Sequence, residues 1–289
     1  MFGYSLAIGC ALCWAISIIM FRFVSSSISP ASLNLLKNLT GFALMIPTAI
    51  ATDGLSIDIA TDDWLILFIS GGVGIGIADA LVLKALEQLG ASRLAILECL
   101  YSPFVITLSM LFLGERFNML SGFGAGLVLL GIAIAALSKT PKDSEFQKQG
   151  FLWGGLGLFL MAIGIVLFKP LLAVVPLFWL ITIRLFAGCI MSFFYWIITT
   201  NTRRELSSIK SLPNKPLTAA ACVMSTYIAM MMWVAAFGYN EAMTTAVLNQ
   251  TSTFFTVLLA ALILKEKLTT PKIIATMTAA SGAILIAVS

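Results

Sequence analysis

Apolar stretches of about 20 residues follow one another along nearly the whole chain, separated by connectors too short to fold alone. At 1.5 Å of rise per residue, a helix of that length crosses a hydrocarbon core of about 30 Å. Composition agrees: 60% of the 289 residues are hydrophobic and 10% charged, against about 45–50% apolar and about 25% charged in a soluble domain. In lipid every backbone N–H and C=O needs a partner inside the protein, so stretches of this length must be helices. The sequence thus predicts an all-α integral membrane protein with ten transmembrane helices. Their approximate limits are 3–23, 31–51, 64–86, 92–113, 118–138, 150–172, 176–200, 217–239, 243–264 and 271–289.

The longest connectors run only from Thr52 to Asp63, Lys139 to Gln149 and Asn201 to Pro216, which leaves no soluble domain. The first apolar stretch has no Lys or Arg before it and no small-residue cleavage site after it, so it is expected to be a retained helix with the mature chain starting at Met1. The chain also repeats itself. Arg22, Lys37 and Gly41 recur as Lys169, Arg184 and Gly188, 147 positions later, and Glu115-Arg116 recurs as Glu266-Lys267, 151 later. Ala85 with Ala236, Leu97 with Leu248 and Gly131 with Gly282 keep the second offset. The expected organisation is one five-helix repeat at 1–138, a linker at 139–149 and a second five-helix repeat at 150–289. Five crossings leave the chain on the opposite face, so two inverted five-helix repeats follow.

Function in such a bundle is sought among ionisable groups in mid-span, since a charge near the bilayer centre costs at least about 2.5–3.5 kcal/mol. Lys37, Asp79, Glu98, Arg184 and, less deeply, Lys84 qualify. Lys37 and Arg184 lie two turns into their spans and are expected to snorkel toward an interface. Asp79 is too short for that and is expected either to pair with a basic residue on a neighbouring helix or to stand in a solute pathway. Glu98 is singled out because Pro103, five residues on, removes the hydrogen bond that the Cys99 carbonyl would otherwise accept. The 151 offset carries Glu98 onto Asn249, from which Ser252, Thr253 and Thr256 continue one polar helix face. Tyr101 and Ser102 stand beside Glu98 in the fourth span. Trp14, Tyr101, Tyr227 and Trp233 are the aromatics expected within the membrane as apolar walls of a pocket; ordinary packing is the alternative for each.

Cys10 and Cys13 form a C-x-x-C spacing, but inside an apolar helix it reads as small packing residues. There are no histidines, which removes the commonest general base and metal ligand. No cofactor and no enzymatic activity are expected, and Asp79 and Glu98 remain as the intramembrane groups able to carry protons.

Several local features follow in order through the chain: Lys37 and Arg184 in the second helix of each half, the run Ala85-Leu86 to Ser92 leading into Leu100-Tyr101-Ser102-Pro103-Phe104, and the turn Leu113-Gly114-Glu115-Arg116 before a Gly-rich helix. In this order and duplication the chain resembles the drug/metabolite transporter superfamily, EamA-like branch, over its whole length. The resemblance implies a ten-helix carrier of the cell's inner (plasma) membrane, with a central cavity between its halves that moves small organic solutes, often by export. A site with a carboxylate, an amide, hydroxyls and aromatics suits amino acids and other amphipathic solutes, with protons as the coupling ion if transport is coupled. A nucleotide-sugar or sugar-phosphate carrier, which would need Lys37, Lys84 and Arg184 exposed in the site, is the alternative, and a passive channel is the third reading.

The Lys and Arg residues are distributed unevenly over the connectors. Odd-numbered connectors and their helix ends hold Arg22, Lys84, Arg93, Arg203, Arg204 and Lys272 among others, while the even ones hold only Arg116 and Lys169. Basic residues facing anionic inner-leaflet lipid account for this bias, and no nucleic-acid role is read from it. The positive-inside rule then puts both termini outside the cell, whereas characterised relatives keep both in the cytoplasm. Cysteine tags at the termini are therefore expected to react with an impermeant thiol reagent on intact cells; protection of both would overturn this orientation.

Overall fold

The computed structural model describes residues 2–55, 59–114, 119–137, 144–212 and 214–288. Every regular element among them is helical. In the first half, α1 (Phe2–Val24) and α2 (Pro30–Asp53) are followed by a long interrupted helix: α3 (Thr61–Gly71), a π-helical stretch Gly72–Ile77, and α4 (Ala78–Leu89). A broken helix, α5 (Ala91–Glu98) with α6 (Tyr101–Phe112), and then α7 (Met119–Leu137) complete it. The second half runs α8 (Ser144–Phe168), a 3-10 turn, α9 (Leu177–Thr199) and the short α10 (Thr202–Lys210). Next come α11 (Lys215–Val223), a π-helical stretch Met224–Ala229 and α12 (Met230–Tyr239), then α13 (Ala242–Asn249), α14 (Thr251–Leu262) and α15 (Thr270–Val288). Eight of the described helical stretches are long and apolar enough to cross a membrane. The last helices of the two halves, α7 and α15, pack along each other.

The irregularities recur with the repeat. The π-helical stretches fall at corresponding places in the third helix of each half, and the breaks after Glu98 and Asn249 lie 151 residues apart. Contacts between halves are reciprocal as well: α1 packs on α11 and α12 as α8 packs on α3 and α4, while α2 packs on α9. Repeated glycines mark the close approaches. A Cβ on Gly41 would lie 2.7 Å from Thr226, and one on Gly188 would lie 2.9 Å from Ile75, its counterpart 151 residues earlier. On α7 and α15, Gly131 and Gly282 each face the backbone of the other helix at under 3 Å from the missing Cβ.

Charged residues at the helix ends satisfy backbone groups that helix geometry leaves without partners. Arg22 donates to the Leu86 and Glu87 carbonyls at the end of α4 (3.2 and 3.1 Å). Its repeat partner Lys169 donates to the Phe237 and Asn240 carbonyls at the end of α12. The α5 N-terminus follows Gly90, whose φ of 78° suits glycine. There Glu266, from the other half, accepts from the Ala91 N–H (3.2 Å) and the Ser92 hydroxyl. Burial pushes the Glu266 carboxyl up, but the Ser92 hydroxyl, Lys272 and the Ala91 N–H outweigh it and hold it below its ordinary value. Glu205 caps α2 in the same way, accepting from the Ser32 hydroxyl at 2.6 Å and the Ser29 hydroxyl at 2.9 Å.

Two expectations change. The stretch Asn201 to Pro216 is not an open connector, because Asn201 caps α10 by accepting from the Arg204 N–H (3.3 Å). The helix after the expected linker begins at Ser144, inside it, in keeping with the good helix formers Gln147 and Lys148. The span that carries Pro103 breaks after Glu98, and its counterpart in the second half breaks at the equivalent place without a proline. Both breaks tighten through i→i+3 bonds, Leu100 N–H to Leu97 (2.9 Å) and Gln250 N–H to Val247 (2.9 Å), and the Thr251 hydroxyl takes the freed Leu248 carbonyl (2.8 Å). Met1, Asp58, Glu115, Arg116 and residues 139–143 of the expected linker lie outside the described residues.

Candidate functional site

A cavity of about 800 Å³, counting its open mouth, lies between the halves. Both π-helical stretches wall it, Gly74 and Ile75 on one side and Ser225, Thr226 and Ala229 on the other. A π turn shifts the i→i−4 ladder and leaves carbonyls in need of donors. Asn34 meets that need at Gly76 (2.8 Å), and the Thr226 hydroxyl donates to Cys222 (2.6 Å) and to Lys37 on α2 (2.7 Å). Trp14, Tyr101, Met161, Met230 and Trp233 supply the aromatic and thioether surface.

One basic and two acidic residues reach the cavity wall: Lys37, Asp79 and Glu98. Lys37 and Asp79 form an ion pair, with side chains 2% and 7% exposed, and Lys37 also donates to Asn38 (3.2 Å). This answers the alternative left open for Asp79, which is both paired and on the cavity. Among the described residues Glu98 has no basic partner. One of its carboxylate oxygens accepts from the Trp14 indole N–H at 3.0 Å, and the other is buried without a hydrogen bond. Asn249, with its amide turned so that both ends are satisfied, donates to the Ala7 carbonyl (3.1 Å) and accepts from the Trp233 indole N–H (3.0 Å). Repeat-equivalent residues therefore each hold one tryptophan against the cavity.

Of the residues singled out by sequence, Trp14, Lys37, Asp79, Glu98, Tyr101, Trp233, Asn249 and Ser252 line this one space. The others lie elsewhere. Tyr227 shares a hydrogen bond with the Thr48 hydroxyl (2.7 Å), away from the cavity. Lys84 sits over the Trp153 ring at 4.1 Å. Ser102 donates to Ala246 (3.1 Å) and Thr253 to Ala95 (3.0 Å), so both bond the broken helices of the two halves to each other. The snorkelling expected of Lys37 and Arg184 does not occur: each is 1% exposed. Lys37 has Asp79 within reach, and Arg184 is held inward by the Ser70 hydroxyl (3.0 Å) and by the face of Phe168, 3.9 Å from its guanidinium carbon.

Gln250 was not foreseen. It donates to the Ser102 hydroxyl (2.9 Å) and the Glu98 carbonyl (3.3 Å) and lines the cavity. An unbroken helix would turn it off the Asn249 face. The break at this position brings it round, and only the Asn-Gln pair at the equivalent of Glu98 hinted at it.

The structure is thus a multi-pass helical bundle with a cavity between two like halves. The EamA-like transporter family model matches residues 1–137 and again 148–288, so the chain belongs to that family and to the drug/metabolite transporter superfamily. No curated protein matches it in sequence. One solved crystal structure of a protein is similar over 96% of this chain and 97% of that one, with a TM-score of 0.69 and 17% identity, a likeness of fold alone.

Removing one member of a buried ion pair leaves a charge uncompensated, at a cost of about 3–5 kcal/mol, while an apolar replacement of both is close to neutral. Asp79→Asn is therefore expected to lower the thermal midpoint of the purified protein markedly, and Lys37→Met with Asp79→Leu to restore most of it. Equal loss in the single and double variants would show that the pair does not act as a unit.

Proposed function

We propose that this protein is a secondary transporter that exports small organic metabolites, such as amino acids and other amphipathic solutes, by alternating access of the central cavity. The observation that carries the reading is the cavity itself, walled by both halves and bearing Glu98 and Asn249 at repeat-equivalent positions, each holding an indole N–H. The full architecture is ten spans in two inverted five-helix repeats, 1–138 and 150–289, in the inner membrane. The reciprocal packing of the halves supports the pseudo-twofold relation, and α7 with α15 take the fifth and tenth places.

The residues that bind solute are Trp14, Glu98, Tyr101, Trp233, Asn249 and Ser252, with Asp79 fixed in the wall by Lys37. Ser102, Thr253 and Tyr227 keep the helices together around them. Rocking of one half against the other opens the cavity to each side in turn, and release on the far side needs only weak polar contacts. Glu98, with one carboxylate oxygen unpartnered, carries the coupling proton: it holds it in the apolar chamber and gives it up when water enters. A nucleotide-sugar carrier fits less well, since Lys37 is neutralised by Asp79 and Lys84 lies on Trp153. A channel would be lined by rings of like residues, which Glu98 opposite Asn249 does not provide.

Counterflow in proteoliposomes preloaded in turn with an amino-acid pool and a nucleotide-sugar pool tests this. Saturable, trans-stimulated uptake of amino acids is expected. In Glu98→Gln, exchange is weakened and accumulation driven by a proton gradient is lost. Accumulation that survives in Glu98→Gln removes Glu98 from the coupling, and ohmic flux without trans-stimulation removes the carrier.

A further inference from the structure

The connectors between the second and third helices of the two halves are equivalent in the repeat and opposite in charge. In the first half, Thr52 to Asp63 carries Asp53, Asp58, Asp62 and Asp63 and no base. In the second, Asn201 to Pro216 carries Arg203, Arg204, Lys210 and Lys215 against Glu205 alone. The repeat offset steps from 147 at Gly41 and Gly188 to 151 at Ala85 and Ala236, so the second half is four residues longer here, and this connector contains α10. One side of α10 is fastened to the bundle: Glu205 accepts from the Ser29 and Ser32 hydroxyls, and Ile209 packs on the core. The other side presents Arg203, Arg204 and Lys210, with Leu206 among them and 46% exposed. The one acid is thus engaged by hydroxyls, and among the described residues none of the four cations is ion-paired. A short helix with bases and an apolar residue on its free side lies along a bilayer surface and is drawn to anionic lipid.

Two residues beyond α10, Leu212 enters the wall of another cavity, a crevice of about 720 Å³ counting its open mouth. Phe23 and Val24 at the end of α1 and Leu217 at the start of α11 complete its apolar lining. Its polar groups are engaged locally: Asn214 accepts from the Leu217 N–H (3.2 Å), and the Thr218 hydroxyl donates to the Asn214 carbonyl (3.0 Å). Phe23 and Leu217 stand at the ends of the apolar spans Phe2–Val24 and Lys215–Tyr239, the depth at which hydrocarbon gives way to headgroups. Lys210 and Lys215, both exposed, flank the crevice in sequence, next to Leu212 and Asn214 or two residues away. We propose that the crevice binds one anionic diacyl phospholipid, its chains along Phe23 and Leu217 and its phosphate on Lys210 and Lys215. A soluble phosphate compound would leave the apolar lining unused, and a zwitterionic lipid would bring an ammonium group among four bases. The site shares no residue with the central cavity. Since α1 belongs to the first half and α11 to the second, a lipid seated there touches both.

The test is lipid binding to the purified full chain in detergent, read by native mass spectrometry, with dioleoyl phosphatidylglycerol, dioleoyl phosphatidylcholine and deacylated glycerophosphoglycerol as probes. Phosphatidylglycerol is expected to bind about tenfold or more tightly than phosphatidylcholine, the scale of two cations at a membrane surface, and glycerophosphoglycerol not to bind. Lys210→Gln with Lys215→Gln removes the preference, and Phe23→Ser, which leaves every charge in place, weakens phosphatidylglycerol binding. Lys265→Gln with Lys267→Gln takes the same charge from another connector on the same face and keeps the preference. All five side chains are exposed, so the lipid-free thermal midpoint is expected to stay that of the native chain in each variant. Equal binding of the two lipids overturns the proposal, as does a preference that survives in Lys210→Gln with Lys215→Gln. So does a preference lost equally in Lys265→Gln with Lys267→Gln, which would make the attraction a diffuse one. Binding indifferent to Phe23→Ser, or glycerophosphoglycerol bound as tightly as the lipid, overturns it too, by removing the chains from the site.

Discussion

A charge inside a bilayer must be answered by another charge, a dipole or water, and the interior of this bundle is organised by how its buried charges are answered. Lys37 and Asp79 answer each other between α2 and the third helix, and the pair forms part of the cavity wall. Because the surroundings are almost wholly apolar, neither partner can be lost without leaving the other stranded. The pair therefore does two things at once: it fixes two helices of the first half, and it removes one positive and one negative group from contention for a ligand. Glu98 and Arg184 are held differently, by an indole N–H and by the Ser70 hydroxyl with aromatic faces. Those are contacts that position a charge without neutralising it.

The same economy governs the backbone. The cavity exists because four helices depart from regular geometry, two by π turns and two by breaks, and each departure frees polar groups that lipid cannot satisfy. Asn34 and Gln250 take up such groups from other helices, and Thr226 and Thr251 from within their own. At the helix ends Arg22 and Lys169 serve carbonyls within their own halves, whereas Glu205 and Glu266 reach across to cap α2 and α5 of the first half. Contacts of the second kind join the halves through hydrogen bonds at their rims, where bonds are exchanged for water more easily than packed side chains are separated.

Much of this was legible in the sequence. The all-helical class and the placement of the eight long apolar spans among the described residues followed from span length, and the duplication followed from charged and glycine residues whose spacing survived. Arg22 and Lys169, read as markers of the repeat, turn out to do the same capping job in each half. Glu98 and Asn249 were found because a carboxylate and an amide in mid-span have few reasons to be there. The rest was hidden for identifiable reasons. Snorkelling was a fair expectation for Lys37 from its depth alone; only the fold shows Asp79 beside it. Tyr227, Ser102 and Thr253 look like site residues on a helical wheel, but a wheel assumes an unbroken helix, and the breaks and π turns re-aim them. Those departures carry no proline in the second half, so no single residue type announced them, and Gln250 entered the cavity by that route.

Alternating access makes one demand that no static bundle or open pore shares: a group in the cavity must face one side of the membrane at a time, and solute must move it between them. Cys10 is a native reporter, since it lines the cavity and is buried. With the other four cysteines replaced, its reaction with an impermeant thiol reagent is measured from each side of sealed vesicles, with and without an amino-acid pool. The account predicts reaction from either side at rates that change in opposite directions when solute is added. Reaction from both sides at rates indifferent to solute, or from neither, would contradict it.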